Sequence, residues 1–247
     1  MNKLAINKKT VPIINQIEKM VAHVPGWSPV NQLYTLFNLV YANPDLEGDI
    51  VEIGSWCGRT TSVLGMAARM ITNTDIHCID LFPSKNDWRE NQDGTYSFDV
   101  AIGGQKYTAY DKQTVWREPF EKEIAPLYES HNNILDVFME TMKSNGLLDV
   151  VNVHRGTSDI LKDVVPEAFK CKIAFIDGDH SYEAVCRDIR NVEPFLVDGG
   201  WICLDDAFSG YQGIDEAVTD LIVNSGTYEL CQQMTRKLII ARKTKNK

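Results

Sequence analysis

The chain has 247 residues, of which 44% are hydrophobic and 24% charged, which is the composition of an ordinary globular protein. Its formal net charge of -9 disfavours nucleic acid as the main partner, because nonspecific binding depends on Lys and Arg contacts to phosphate. No apolar run approaches the roughly 20 residues that span a bilayer, and residues 1–10 lack a hydrophobic signal core, so we expect a cytoplasmic protein with no membrane partner.

Two helices are expected before the first strand. Apolar residues recur at helical spacing over residues 11–24 and again over residues 33–40, and Pro25-Gly26 separates the two runs. Ser28 is placed to cap the second helix, with Pro29 at its first position. We assign residues 1–48 to an N-terminal helical cap and residues 49–247 to the main domain.

The main domain opens with a glycine-containing turn between a strand and a helix. Residues 51–61 read V-E-I-G-S-W-C-G-R-T-T, and the apolar residues that follow have helical spacing. A second apolar run, residues 76–79, ends on Asp80. In α/β folds an acid in this place holds the hydroxyls of a ribose. The stretch therefore predicts a site for a nucleoside-containing cofactor.

Strand and helix patterns alternate along the rest of the main domain. The short apolar runs typical of strands buried on both faces are residues 50–53, 76–79, 150–154, 173–176 and 201–204. Their alternation with helices predicts an α/β fold, a Rossmann-like, doubly wound and mainly parallel sheet. Residues 228–233 and 237–242 predict a hairpin that brings the sheet to seven strands, with an antiparallel C-terminal edge strand.

Residues 82–130 do not fit a minimal α/β unit. They are polar and rich in aromatic residues and show little periodicity. Structureless segments of this length are uncommon in compact domains and are usually functional or disordered. The segment leaves from the carboxyl end of the second strand, which is the ligand side of such sheets. We expect a lid, a substrate-binding insertion or an oligomer contact, and the last of these would make the protein a homo-oligomer.

The chemistry is expected where two neighbouring strands end on acids. Residues 173–182 read I-A-F-I-D-G-D-H-S-Y, so Asp177 and His180 follow a buried strand, and the next strand ends on Asp205-Asp206. Converging carboxylates repel one another unless a countercharge is present, and a divalent cation such as Mg²⁺ or Mn²⁺ would supply it. His180 is placed as a general base. Alternatively, Asp179 or Ser181 caps a helix and Asp205-Asp206 begins an ordinary loop.

With both motifs in view, the chain resembles the class I S-adenosylmethionine-dependent methyltransferases. The closer resemblance is to the group that includes metal-dependent macrolide-sugar O-methyltransferases, with the signature F-I-D-G-D-H-S-Y, which residues 175–182 carry. Residues 52–58 keep the acid and the outer two glycines of the E-x-G-x-G-x-G pattern, with Trp56 at the central glycine position. The resemblance covers about residues 49–242 apart from the insertion.

The resemblance implies roles for particular residues. Those implied to bind S-adenosylmethionine are Glu52, Gly54, Ser55 and Gly58 at the methionine part, Asp80 at the ribose, Gly156, Thr157 and Ser158 near the adenine, and Asp177. The implied metal ligands are Asp177, Asp205 and Asp206, where the middle ligand is usually Glu. His180 matches the base, and Asp177 would share in catalysis.

We therefore expect an S-adenosylmethionine-dependent O-methyltransferase that acts, with a divalent metal, on a hydroxyl of a small molecule such as a sugar or another diol. One alternative is a metal-dependent oxygenase or hydrolase on a Rossmann-like frame. The other is a non-catalytic cofactor-binding protein.

Overall fold

A computed structural model describes residues 11–71 and 74–245, and a seven-stranded sheet forms its centre. The strands in chain order are β1 (Asp49–Ile53), β2 (Ile76–Asp80), β3 (Trp88–Glu90), β4 (Tyr96–Ile102), β5 (Gln105–Ala109), β6 (Val151–Arg155), β7 (Cys171–Ile176), β8 (Leu196–Leu204), β9 (Tyr228–Gln233) and β10 (Ile239–Lys243). The order across the central sheet is β6-β2-β1-β7-β8-β10-β9. β10 runs antiparallel to both β8 and β9. The predicted mainly parallel sheet with an antiparallel edge is confirmed; the reversed strand lies one place in from the edge, which β9 completes.

Helices cover both faces of this sheet. They are α1 (Ile13–Val21), α2 (Val30–Tyr41), α3 (Arg59–Ala68), α4 (Arg117–Pro119), α5 (Ile134–Ser144), α6 (Leu161–Val164), α7 (Tyr182–Val192) and α8 (Gln212–Val218). Successive side chains of a strand point to opposite faces. Accordingly, Ile173 and Phe175 of β7 pack in the core layer that contains α1, α2, α3 and α5, whereas Ala174 and Ile176 pack with α7 and α8. Each face thus has its own apolar core, which is the doubly wound arrangement.

The two N-terminal helices pack against the sheet domain through α3. Arg59, the first residue of α3, donates hydrogen bonds to the carbonyl oxygens of Val21 (2.7 Å), Val24 (2.8 Å) and Ser28 (3.0 Å). The expected Ser28 cap is wrong by one position, because Pro29 precedes the first helical residue and no side chain caps α2. The Ser28 hydroxyl instead accepts a hydrogen bond from Thr60 (3.2 Å). Of the assigned cap, residues 1–10 lie outside the described residues.

The insertion after β2 is folded, contrary to the expectation of a segment with little regular structure. β3, β4 and β5 form an antiparallel three-stranded sheet. Its core consists of Phe98, Val100 and Ala109. Gly103 and Gly104, with φ of 59° and 84°, form the turn between β4 and β5. Paired glycines between two strand-like runs are a hairpin signal, and it was obscured by the short, polar strands on either side.

None of the helices in the described ranges combines the length and the apolar character needed to cross a bilayer.

Gly54, directly after β1, permits the closest backbone approach in the sheet. Its φ is +86°, and a Cβ there would overlap the carbonyl group of Asp177 at the end of β7. Gly104 has nearly the same φ, +84°, but its Cβ would meet nothing within 4 Å. A substitution at Gly104 therefore measures the cost of the left-handed backbone alone, whereas one at Gly54 adds the cost of the steric clash.

We expect Gly104→Ala to lower the free energy of unfolding by about 1–2 kcal/mol, the cost of a left-handed non-glycine residue. Gly54→Ala should lower it by clearly more, roughly 3 kcal/mol or above, because one of two backbones must also move. Urea unfolding of both variants at one pH measures this difference. Equal losses would show that β1 and β7 tolerate a wider spacing.

Candidate functional site

The carboxyl ends of the parallel strands surround a large cavity. It has a volume of about 1470 Å³, and its lining includes Gly54, Asp80, Gly156, Asp177 and His180. A single drug-sized ligand occupies a pocket of about 300–1,000 Å³. The cavity therefore has room for two small molecules side by side, and the insertion forms its outer wall.

The turn between β1 and α3 forms the floor of one end. Gly54 and Gly58 both have a left-handed backbone, with φ of 86° and 84°. Trp56, at the central glycine position of the resembled pattern, also has a positive φ of 47°. Its N–H donates to Asp80 Oδ2 (3.0 Å), and its ring lies against Trp27 with centroids 6.1 Å apart. Trp56 and Trp27 both line the cavity.

Asp80 ends β2 beside this turn. Besides the bond from Trp56, its Oδ1 accepts the N–H of Phe82 (2.6 Å). Burial raises the pKa of the Asp80 carboxyl, and the two backbone hydrogen bonds oppose that shift. The carboxylate thus has a fixed orientation at the cavity wall and still offers lone pairs to a ligand.

Glu52 lies beneath the turn rather than in the cavity. It is completely buried and is absent from the cavity lining. Its Oε2 accepts hydrogen bonds from the Thr61 hydroxyl and the Cys78 thiol, and its Oε1 has no partner among the described residues. Burial raises the pKa of Glu52 to about 7. The implied direct contact with the methionine part therefore does not follow from the side chain's position; Glu52 supports the turn from below.

Gly156, Thr157 and Ser158 line the cavity after β6, as expected. The Gly156 N–H donates to the Asp80 carbonyl (2.9 Å), which joins this loop to the end of β2. The Ser158 hydroxyl points away from solvent and donates to Asp188 Oδ1 (2.6 Å). Asp188 was not predicted. It lies on the buried face of α7 with Val185 and Ile189, and the only sign of it in the sequence was a charged residue at an apolar position of the helical pattern. Burial raises its pKa to about 6.

The second end of the cavity holds the acidic cluster. His180 Nε2 lies 3.9 Å from Asp177 Oδ1 and 3.6 Å from Asp206 Oδ2. Ligand atoms of these three residues all lie within 4.8 Å of one another. The structure thus brings together Asp177, His180 and Asp206 at the ends of neighbouring strands, as the sequence predicted.

Asp205 faces a different set of partners. It is buried, its Oδ1 accepts the Asp206 N–H (2.8 Å), and its Oδ2 accepts the side-chain amide of Gln32 (2.8 Å). The ammonium group of Lys237 lies 3.1 Å from the same Oδ2 and 3.4 Å from Asp206 Oδ1. Neither Gln32 nor Lys237 was predicted, since each comes from an element distant in the chain. The Asp205 carboxyl also contacts that of Asp177, so the three predicted ligands lie together, with Lys237 already paired to Asp205 and Asp206.

The charges of the cluster set the protonation of two groups. Burial and the nearby Asp205 raise the pKa of Asp177, whereas Lys237 lowers it. Burial lowers the pKa of His180, and the surrounding acids only partly oppose this. The imidazole is therefore neutral at pH 7, the form in which it can accept a proton.

The insertion is fastened to this end by two contacts. The Tyr110 N–H donates to Asp179 Oδ2 (2.7 Å), and Lys112 pairs with Glu183 (2.6 Å). The ring of Tyr110 lies 6.3 Å from that of His180, and Tyr211 flanks the imidazole from another side at 4.5 Å. Asp179 also accepts the Ser181 N–H (2.8 Å), one residue before α7, and no side chain caps that helix. The space beside His180 therefore has aromatic walls.

Two carboxylates of the cluster fit a divalent cation. Asp177 and Asp206 face the cavity and offer the oxygen ligands that Mg²⁺ and Mn²⁺ prefer, and His180 adds a nitrogen at similar range. Asp205 is paired with Lys237, so a cation bound to it would lie beside the ammonium group.

Glu52→Gln tests the buried carboxyl. The pKa of about 7 in the folded protein lies above the ordinary glutamate pKa of 4.5, so the folded protein binds an extra proton between these values. Wild-type stability therefore falls as pH rises through this window. Gln does not titrate. The stability difference between wild type and Glu52→Gln should therefore shift by about 2–3 kcal/mol in favour of the variant from pH 4.5 to pH 8. Denaturant unfolding at both pH values measures it, and a pH-independent difference would contradict the assignment.

Comparison with solved structures finds the same fold in several O-methyltransferases. The O-methyltransferase NovP matches with a TM-score of 0.60 and 17% identity over 87% of this chain and 81% of NovP. An O-methyltransferase from Bacillus cereus, in complex with SAH, matches at 0.56 and 14% identity, covering 97% and 94% of the two chains. TomG from Streptomyces achromogenes, an O-methyltransferase of tomaymycin synthesis in complex with SAM, matches at 0.55 and 13%, covering 96% and 91%.

A sequence comparison with curated proteins found no match. The sequence model of a family described as a methyltransferase domain matches residues 51–207, from the glycine-containing turn to just past the acidic pair at the end of β8. The matched residues are more than half of the chain, and they include both the turn after β1 and the acidic cluster. The chain therefore belongs to this methyltransferase-domain family, with the Rossmann-like class I fold.

Proposed function

We propose that the protein is an S-adenosylmethionine-dependent O-methyltransferase that acts on a hydroxyl of a small molecule. One observation carries the proposal: a single cavity joins the turn after β1, with Asp80 beside it, to the neutral His180 among the acids. A methyl donor at the first end would face an acceptor at the second. The volume of about 1470 Å³ accommodates both.

The cofactor would occupy the end formed by the first three parallel strands. Backbone groups of Gly54 and Ser55 would approach the methionine part closely, because Gly54 carries no Cβ. Gly58 is absent from the cavity lining and instead packs against Met142 and Phe138 of α5. Asp80 would accept hydrogen bonds from the ribose hydroxyls. Gly156, Thr157 and Ser158 would lie beside the adenine. Glu52 would act indirectly, by holding the turn through Thr61.

The acceptor hydroxyl would lie beside His180. His180 would take the hydroxyl proton, because its burial keeps the imidazole neutral at pH 7. Bound S-adenosylmethionine would supply the methyl group to the hydroxyl oxygen and would leave as S-adenosylhomocysteine. Holding both reactants in line supplies much of the rate. Asp177 and Asp206 would hold Mg²⁺ or Mn²⁺, which when bound orients and acidifies a hydroxyl or diol.

The insertion would form the acceptor-binding wall. Trp88, Tyr107 and Trp116 line the cavity from this segment, and Trp27 does so from the N-terminal helices. Trp116 is 74% exposed and Trp27 50% exposed, so both offer open aromatic faces at the cavity rim. Such faces suit a sugar or another ring-containing diol. A metal-dependent oxygenase with a facial triad needs two histidines, whereas the cluster found in the described residues contains His180 alone.

His180→Ala should lower kcat at least 100-fold, the usual contribution of a general base, without weakening cofactor binding. Because burial lowers the pKa of His180, the acidic limb of the wild-type pH–rate profile should lie below the ordinary histidine value near 6.5. Methyl transfer to a panel of sugars and diols, with calorimetry of cofactor binding, provides the measurements. His131→Ala, at a partly buried histidine that is paired with Glu140 and lies outside the cavity lining, is the control. Full activity of His180→Ala would exclude it as the base.

Asp80→Asn should weaken binding of S-adenosylhomocysteine by about tenfold to hundredfold, because hydrogen bonds to a charged acceptor contribute about 1.5–3 kcal/mol. The amide oxygen can accept only one of the two backbone N–H groups of Trp56 and Phe82, so thermal unfolding of the variant checks that the turn persists. Asp93→Asn, in the exposed turn of the insertion, is the matched control. Isothermal titration calorimetry measures both, and equal affinities would remove Asp80 from the cofactor site.

A further inference from the structure

Lys237 places a fixed positive charge inside the acidic cluster. It lies in the turn between β9 and β10 and lines the cavity. Its side chain is only 19% exposed, and its ammonium group lies 3.1 Å from Asp205 Oδ2 and 3.4 Å from Asp206 Oδ1. A lysine at this depth among carboxylates is a structural ion pair rather than a solvated surface charge.

The ammonium group supplies a countercharge that a divalent cation would otherwise provide. Asp205 Oδ2 accepts from both Lys237 and Gln32, while its Oδ1 accepts the Asp206 N–H. These hydrogen bonds leave lone pairs on Asp205, so it is the charge of Lys237 that opposes a metal ion there. A metal ion between Asp205 and Asp206 would also lie against the ammonium group, and the two cations would repel. Asp177 and Asp206 Oδ2 remain open on the His180 side.

We propose that Lys237 is a positioning residue that acts as the resident cation of this site. It retains Asp205 as its own partner and thereby restricts divalent-cation binding to Asp177 and Asp206. The cluster is then held in place before any metal binds, and its affinity for Mg²⁺ or Mn²⁺ is weak. This proposal rests on the cation site named in the proposed function, and it departs from the three-carboxylate set that the sequence predicted.

The proposal makes Asp205 a latent ligand. When the ammonium group is removed, Asp205 Oδ2 loses one donor and the cluster gains net negative charge, so Asp205 can turn toward a metal ion. Asp205 should therefore matter for metal affinity only when Lys237 is absent. This conditional dependence distinguishes a latent ligand from a permanent one and from a residue with no role.

A double-mutant cycle on Mn²⁺ affinity tests the proposal, with Mn²⁺ bound to the full chain measured by electron paramagnetic resonance without any acceptor. We expect Lys237→Met to bind Mn²⁺ at least tenfold more tightly than wild type. Asp205→Asn alone should change the affinity less than threefold, and Lys237→Met with Asp205→Asn should lose most of the gain. Lys237→Arg, which keeps the charge, should resemble wild type.

Lys112→Met is the matched control, since Lys112 also lines the cavity but pairs with Glu183; it should leave Mn²⁺ affinity unchanged. Lys237→Gln replaces Lys237→Met if the latter does not fold, as judged by its thermal unfolding. The proposal is overturned if Asp205→Asn alone abolishes Mn²⁺ binding, or if neutral variants at position 237 bind Mn²⁺ no more tightly than wild type. Binding of S-adenosylhomocysteine, measured separately, shows whether the proposed function itself fails.

Discussion

The close backbone approach of β1 and β7 is the constraint on which the rest of the site depends. Gly54 lies so near the Asp177 carbonyl that no side chain fits between them. The Asp177 N–H donates to the Ile53 carbonyl (2.8 Å), and the Gly54 N–H donates to the Ile79 carbonyl (2.9 Å). Three strand ends are thereby fixed relative to one another. The turn that would hold the cofactor and the acid that would face the acceptor are positioned by the same hydrogen bonds.

The second constraint is electrostatic. Buried carboxylates that meet at one sheet edge are unfavourable unless each has a donor or a countercharge. In this chain the donors come from elsewhere in the fold: the Gln32 amide from α2 and the Lys237 ammonium group from the hairpin. The N-terminal helices and the C-terminal edge of the sheet therefore take part in the site. The predicted domain boundary at residue 49 therefore lies between two elements that both contact Asp205.

Under the proposed function, the insertion would connect the fold to the choice of acceptor. Its small sheet has its own core around Phe98 and Val100, and Trp88 joins that core to the main one. Its contacts at Asp179 and Glu183 reach the loop that carries His180 and the helix that follows. A segment attached in this way can change which molecule reaches the base while the cofactor end stays the same.

The strands of the central sheet, their alternation with helices and the two ends of the cavity were predicted from the sequence alone, whereas the strands of the insertion were not. Short apolar runs specify strands buried on both faces, and the carboxyl ends of parallel strands meet at one edge, so Asp80, Asp177, His180 and Asp206 had to converge. The tertiary structure decided what each carboxylate faces. Glu52 lies under the turn, Asp205 pairs with Lys237, and Asp188 accepts a hydrogen bond from the Ser158 hydroxyl. These pairings join residues far apart in sequence, and they depend on the docking of helix, hairpin and insertion, which no periodic pattern records.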